Sequence, residues 1–200
     1  MTNCGVSAVE LLINLDRLTE GEREELTKLG LLSVAGLIQE YEHPAFAPDR
    51  GGTIRKRSIH APDVLNEALH YAKPSSFSRG LRLDIGGVTV LLISGTASVD
   101  ENGETIHVGD FGAQCWRTYR NISRLLESEG ATWHDVVRAT CYLRDIERDY
   151  GQFNKIRTSF FRWLGLDPLP ASVGVQTRLC REDLLVEIEA VAIFTSRADR

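Results

Sequence analysis

The chain has little sulfur, no excess of positive charge and no long apolar stretch. Its longest largely apolar run, Val88–Ile93, is far shorter than the roughly 20 residues that a bilayer-spanning helix needs. The opening residues, MTNCGVSAVELL, carry no basic cluster and place Glu10 where a leader would be apolar. No signal peptide is therefore expected, and a cytoplasmic protein is the default. Lys and Arg number 23 against 28 Asp and Glu, a net charge of −5. That balance gives no general attraction to nucleic acid or to an anionic membrane, and neither is expected as a partner. The four cysteines (Cys4, Cys115, Cys141, Cys180) form no CxxC, and the five histidines form no HExxH. No metal and no cofactor is expected. Cys115 and Cys141 fall on apolar faces of a helical and a strand pattern and read as small buried hydrophobes. Glycine (17) and proline (6) are too ordinary in number for a collagen-like or low-complexity chain. What remains is the composition of one soluble domain, or one domain with an appendage: 200 residues, 42% hydrophobic and 26% charged.

Residues 1–60 read as a helical arm and linker, and 61–200 as the main domain. Thr19 and Glu22 fit a capping box, opening a helix that stops near Gly30. Leu31, Val34, Ala35 and Ile38 recur at helical spacing, and His43 to Gly52 is a Pro- and Gly-rich linker. The arm's apolar stripe suits the main domain, a sister subunit or a separate protein partner.

Further along, Arg82–Ile85 and Val88–Ser94 flank Gly86-Gly87, a dipeptide suited to a tight hairpin. Asp110 is a helix cap for the stripe Phe111, Cys115, Tyr119, Ile122, Leu126. Val136–Leu143 alternates as a strand. Ile146, Tyr150, Phe153, Phe160 and Leu164 form a second helical stripe, closed by Gly165. Strands at about Ser172–Leu179 and Leu184–Phe194 finish the chain. The order ββ-α-β-α-ββ predicts an α+β domain with a mixed β-sheet and two helices on one face. Along the last strand, Leu185, Val191 and Ile193 point away from those helices, too apolar for bulk water. A symmetric oligomer is the economical cover.

The order and spacing of several fragments resemble the RidA/YjgF/UK114 superfamily (older name endoribonuclease L-PSP) over about residues 68–194. These are Tyr71-Ala72, Leu91–Gly95, Asp100–Gly103, Gly109-Asp110, Asn121-Ile122, Asp135–Thr140 and Leu185–Ala190. The resemblance implies a chorismate-mutase-like (YjgF-type) fold, a homotrimer built as a barrel, and small-molecule clefts between subunits. Ser94–Ser98, His107–Asp110 and Leu179–Glu189 also resemble the C-terminal half of chorismatases, whose N-terminal half is much longer than the residues present here.

In family members that hydrolyse amino-acid enamines and imines, an arginine fifteen residues before the V-E-I-E glutamate grips the substrate carboxylate. Here that position is Ser172, in Pro170-Ala171-Ser172-Val173, and the family cysteine or threonine two residues on is Gly174. A hydroxyl does not replace a bidentate guanidinium. Arg138, Arg144, Arg178 and Arg181 are the substitutes on offer, with Arg138 carried forward as substrate-binding. Glu187 stands at the family's water-positioning carboxylate and is the catalytic candidate; stabilisation at an interface is its plainer role. Glu189 reads as structural. Tyr71, which matches the tyrosine lining the family cleft, stacks on a planar substrate or packs an interface. Gly95 permits a close approach of backbone or ligand, and Thr96 with Ser94 binds substrate or satisfies the strand end. His107 reads as a base near neutral pH or, more plainly, as an exposed turn residue. Three functions follow in order: a RidA-like hydrolase of a small reactive enamine or imine, a chorismatase-like hydrolase of an enol ether, and a non-catalytic trimeric binding or assembly protein.

Overall fold

The computed structural model describes residues 19–20, 23–24, 27, 54–62, 64–71 and 74–195. The chain divides into two units, 1–48 and 49–200. In the first, residues 20, 23, 24 and 27 are helical, and the Arg23 amide donates to the Thr19 carbonyl at 3.0 Å. Glu22, the Leu31–Ile38 helix and the linker from His43 to Gly52 lie outside the described residues.

The described residues of the second unit form six strands: β1 (Ile54–Ser58), β2 (Gly80–Ile85), β3 (Val88–Ala97), β4 (Val136–Leu143), β5 (Ala171–Gln176) and β6 (Val186–Thr195). Two helices complete it, α1 (Phe111–Glu127) and α2 (Ile146–Leu164), each opened by an aspartate. Asp110 accepts from the Ala113 amide at 2.9 Å, and Asp145 from the Arg148 amide at 3.0 Å. The sheet order is β1-β2-β3-β6-β4-β5; all neighbours are antiparallel except β4 with β5. Gly86 and Gly87, with φ of 55° and 88°, make the β2–β3 hairpin as expected.

Strand β1 belongs to the sheet: Ile54–Ser58 pairs along Leu81–Ile85. Its sequence, IRKRS, is exposed throughout and shows no apolar alternation. An edge strand of this kind is held by backbone pairing and by Arg57, whose guanidinium meets the buried Glu129 carboxylate at 2.6 Å. Glu129 also takes Arg82 at 3.2 Å.

Both helices share one core with the sheet; α1 lies on β3 and β6, α2 on β4. In α1 the expected stripe is buried. In α2 the buried side is Asp149, Phe153, Ile156, Phe160 and Phe161, whereas Tyr150, placed in the stripe by spacing, is 45% exposed. The 3.6-residue period fixes which residues share a face, not which tyrosine at its margin is covered. Cys115 and Cys141 are buried free thiols, and burial raises both pKa values.

Asn121 shows what holds α1 to β3. Fully buried, its amide nitrogen donates to the carbonyls of Ala97 and Val99, both at 3.0 Å. Asn121→Leu keeps the volume and strands two buried acceptors, so we expect a loss of about 2–4 kcal/mol in urea unfolding. A loss below about 0.5 kcal/mol would mean those carbonyls find other partners.

Among the described residues, no helix lies on the opposite face of the sheet. Register places Leu81, Leu83, Val90, Leu92, Val191 and Ile193 there, with Leu92 39% and Ile193 43% exposed.

Candidate functional site

The catalytic candidate lies on this uncovered face. Along β6, Val186, Ile188, Ala190 and Ala192 are buried under the helices, so Glu187 and Glu189 point the other way. Glu187 pairs with Ala97 of β3 and Tyr142 of β4, and Glu189 with Thr140. The β3–β6 register slips between Ile93 and Thr96, and the bulge carries Gly95. The Glu187 carboxyl lies directly on that glycine: a Cβ added there would stand 2.1 Å from Oε1. The close approach allowed by Gly95 is therefore one of protein to protein. Burial raises the pKa of Glu187, and the charge of Glu189 adds to the rise; the Arg79 cation opposes it.

Arg79, immediately before β2, is the cation of this site and was not among the sequence candidates. It is 6% exposed. Its guanidinium lies 4.8 Å from the Tyr71 ring centre and 5.0 Å from that of Phe77, and Nε donates to the Asn66 carbonyl at 3.2 Å. Tyr71 in turn packs on Gly103, whose φ is 81°; a Cβ there would fall 2.5 Å from the ring. Burial raises the Tyr71 pKa, against the neighbouring Arg79 charge. The spacing F-S-R in Phe77-Ser78-Arg79 was the available signal, an aromatic two residues before an arginine at the mouth of a strand.

The remaining candidates separate. Thr96 is buried and its hydroxyl donates to the Ser94 carbonyl at 2.8 Å, while Ser94 Oγ donates to the Ser78 carbonyl at 2.7 Å. Both hydroxyls are spent on the strand end. Arg138 is exposed on β4, on the uncovered face with Glu187 and Glu189. Tyr142 lies between: desolvation raises its pKa, Glu189 and Glu187 add to the rise, and Arg138 opposes it. Arg144 donates to the carbonyls of Leu184 and Arg181, and Arg181 to the Gly103 carbonyl. Those two arginines fasten the β5–β6 loop. Arg178 makes an exposed pair with Glu182 at 3.5 Å. His107 is an exposed turn residue with φ of 59°.

Ser172 is not beside Glu187 in one chain. It pairs with Ala139, a residue buried on the helix side, and its hydroxyl lies 3.9 Å from the buried Cys141 sulfur. Spacing along a chain does not report which sheet face a strand one neighbour removed presents. Among the described residues no group of three His, Cys, Asp or Glu side chains is placed to hold a metal ion, and no helix is long and apolar enough to cross a membrane.

A mixed sheet with both helices on one face, and a V-E-I-E strand turning its carboxylates to the other, defines the YjgF/RidA type of α+β protein. The family model for endoribonuclease L-PSP matches residues 73–194. The chain belongs to that family, within the RidA/YjgF superfamily. It is 34% identical over 103 residues to a RutC family protein of Pyrococcus abyssi, covering 51% of this chain and 76% of the relative. It is 33% identical over 103 residues to the 3-aminoacrylate deaminase RutC of Acinetobacter baylyi, covering 52% and 78%. Among solved structures, the YjgF gene product of E. coli superposes with a TM-score of 0.55 at 24% identity, over 70% of this chain and 99% of that one. E. coli TdcF with bound serine gives 0.56 at 21%, over 70% and 99%.

Proposed function

We propose that this chain is a RidA-like hydrolase that converts a small reactive imine, or the enamine that tautomerises to it, into a carbonyl compound and ammonia. The observation that carries this reading is the Glu187 carboxyl, lying on Gly95 with a pKa raised by burial and within the field of the Arg79 charge. In the hydrolysis, water adds to the electrophilic carbon and the Glu187 carboxylate takes its proton. The same carboxyl passes that proton to nitrogen, giving a carbinolamine; the carboxylate then takes the hydroxyl proton and delivers it to nitrogen as the carbon–nitrogen bond breaks, so that the carbonyl forms and ammonia leaves. A carboxyl with a pKa above the usual range does both transfers near neutral pH better than an ordinary glutamate. Tyr71 and Arg79 offer a planar, cationic wall for an unsaturated substrate. The identity to a 3-aminoacrylate deaminase supports the same substrate class.

The reading includes a homotrimer: copies packing through the apolar face bring the β5 edge of one chain, with Ser172, near the Glu187 of another. Sedimentation should give three times the monomer mass. The activity test is ammonia release from freshly generated 2-aminoacrylate. Acceleration well above buffer is expected. No acceleration, together with turnover of chorismate followed by its ultraviolet absorbance, would replace this reading with the enol-ether hydrolase.

A further inference from the structure

On the helix side of the sheet, α2 and β5 bound an open groove of about 860 Å³. Arg157 of α2 stands in it with its guanidinium oriented from three directions. Nη1 donates to Ser172 Oγ at 3.3 Å, Nη2 donates to Asn154 Oδ1 at 2.7 Å, and the Phe153 ring centre lies 5.3 Å from the guanidinium carbon. None of these partners carries charge. Among the described residues no carboxylate forms an ion pair with Arg157, unlike Arg57, Arg82, Arg124, Arg148 and Arg178. Two of its five N–H groups are committed to the two oxygens. The fork is thus held in place yet left electrically unmatched, in a groove with room for a ligand.

The floor of the groove is made for this arrangement. Gly174 leaves its Cβ position open to the half-exposed Tyr150 ring, 3.8 Å away, and Ser172 presents a short hydroxyl that only reaches the guanidinium. A longer side chain at 172 would fill the space that Arg157 occupies. The remaining charged groups of the lining are Arg162 and Asp167, which offset each other and leave Arg157 as the net charge.

We infer that Arg157 is the anion-binding residue of the α2–β5 groove and that the groove takes a small monocarboxylate. A planar guanidinium with free N–H groups matches a carboxylate in two parallel, charge-assisted hydrogen bonds, and one positive charge is matched by one negative. That this carboxylate belongs to the imine substrate rests on the reading given under Proposed function. The binding itself does not.

Pyruvate, a monocarboxylate that needs no turnover, separates the two. Calorimetric titration of the full chain with pyruvate should show binding. Arg157→Ala should weaken it about 10- to 100-fold, and Arg157→Lys, which keeps the charge and loses the fork, should fall between. Melting curves of each variant separate lost binding from lost fold, and Arg157→Lys carries the test if the alanine variant is unstable. Unchanged affinity in folded Arg157→Ala, or no binding of pyruvate by the parent protein, overturns the assignment. Pyruvate binding that depends on Arg157, in a protein that fails to hydrolyse 2-aminoacrylate, keeps this inference and removes the hydrolase reading.

Discussion

Glu187→Gln should lower ammonia release from 2-aminoacrylate by at least about 100-fold and, at neutral pH, raise the melting temperature. The two effects have one origin. Burial, then the adjacent Glu189 charge, lifts the Glu187 pKa above its unfolded value of about 4.5. A carboxyl whose pKa rises on folding binds its proton more tightly in the folded state. Its contribution therefore favours folding below 4.5 and is lost as pH climbs through the folded value, where ionisation in the site carries a penalty. Glutamine is neutral at every pH and removes that penalty. The variant should melt above the parent at pH 7, and the gap should close as pH falls below the unfolded pKa. The parent's rate should show an acidic limb displaced above the ordinary carboxylate range, and the residual rate of the variant should lack it. A variant that retains its rate removes Glu187 from the chemistry. A variant with a lower melting temperature at pH 7 shows that Arg79 holds an ionised carboxylate there and that the net effect of the site is stabilising.

Gly95→Ala should lower the same activity about 10- to 100-fold while changing stability by about 1 kcal/mol or less. The added methyl would stand 2.1 Å from Glu187 Oε1 and 2.9 Å from Cδ, so the carboxyl must swing aside. What moves is the end of a flexible side chain; Gly95 itself does not need the left-handed backbone that the neighbouring turn glycines use. The cost therefore falls on the position of the carboxyl rather than on the fold. Urea unfolding and ammonia release on the same preparation read the two quantities. Full activity would show that the site tolerates a displaced carboxyl and that water is held by another group. A loss of several kcal/mol would show that the bulge, not the carboxyl, absorbs the strain.

The sequence alone determined the elements whose signals are local. Asp110 caps its helix, Gly165 closes α2, Gly86-Gly87 turns the hairpin, and the alternation in Leu184–Phe194 separates a buried face from one bearing Glu187 and Glu189. Those features follow from backbone geometry and side-chain periodicity, which act over a few residues. Tertiary structure alone decided three others. Ile54–Ser58 has no apolar pattern, and becomes a strand because the edge of β2 offers hydrogen bonds and Glu129 waits across the sheet for Arg57. Arg79 becomes the cation of the Glu187 site because Tyr71 and Phe77 enclose it, a contact between a loop and the strand that follows it. Arg157 reaches Ser172 because the fold brings this part of α2 beside β5, joining positions fifteen residues apart that no strand or helix period relates. Arginine is long and always charged, so its role is set by whatever oxygen or ring the folded chain brings within reach, and its own position in the sequence says little about which one.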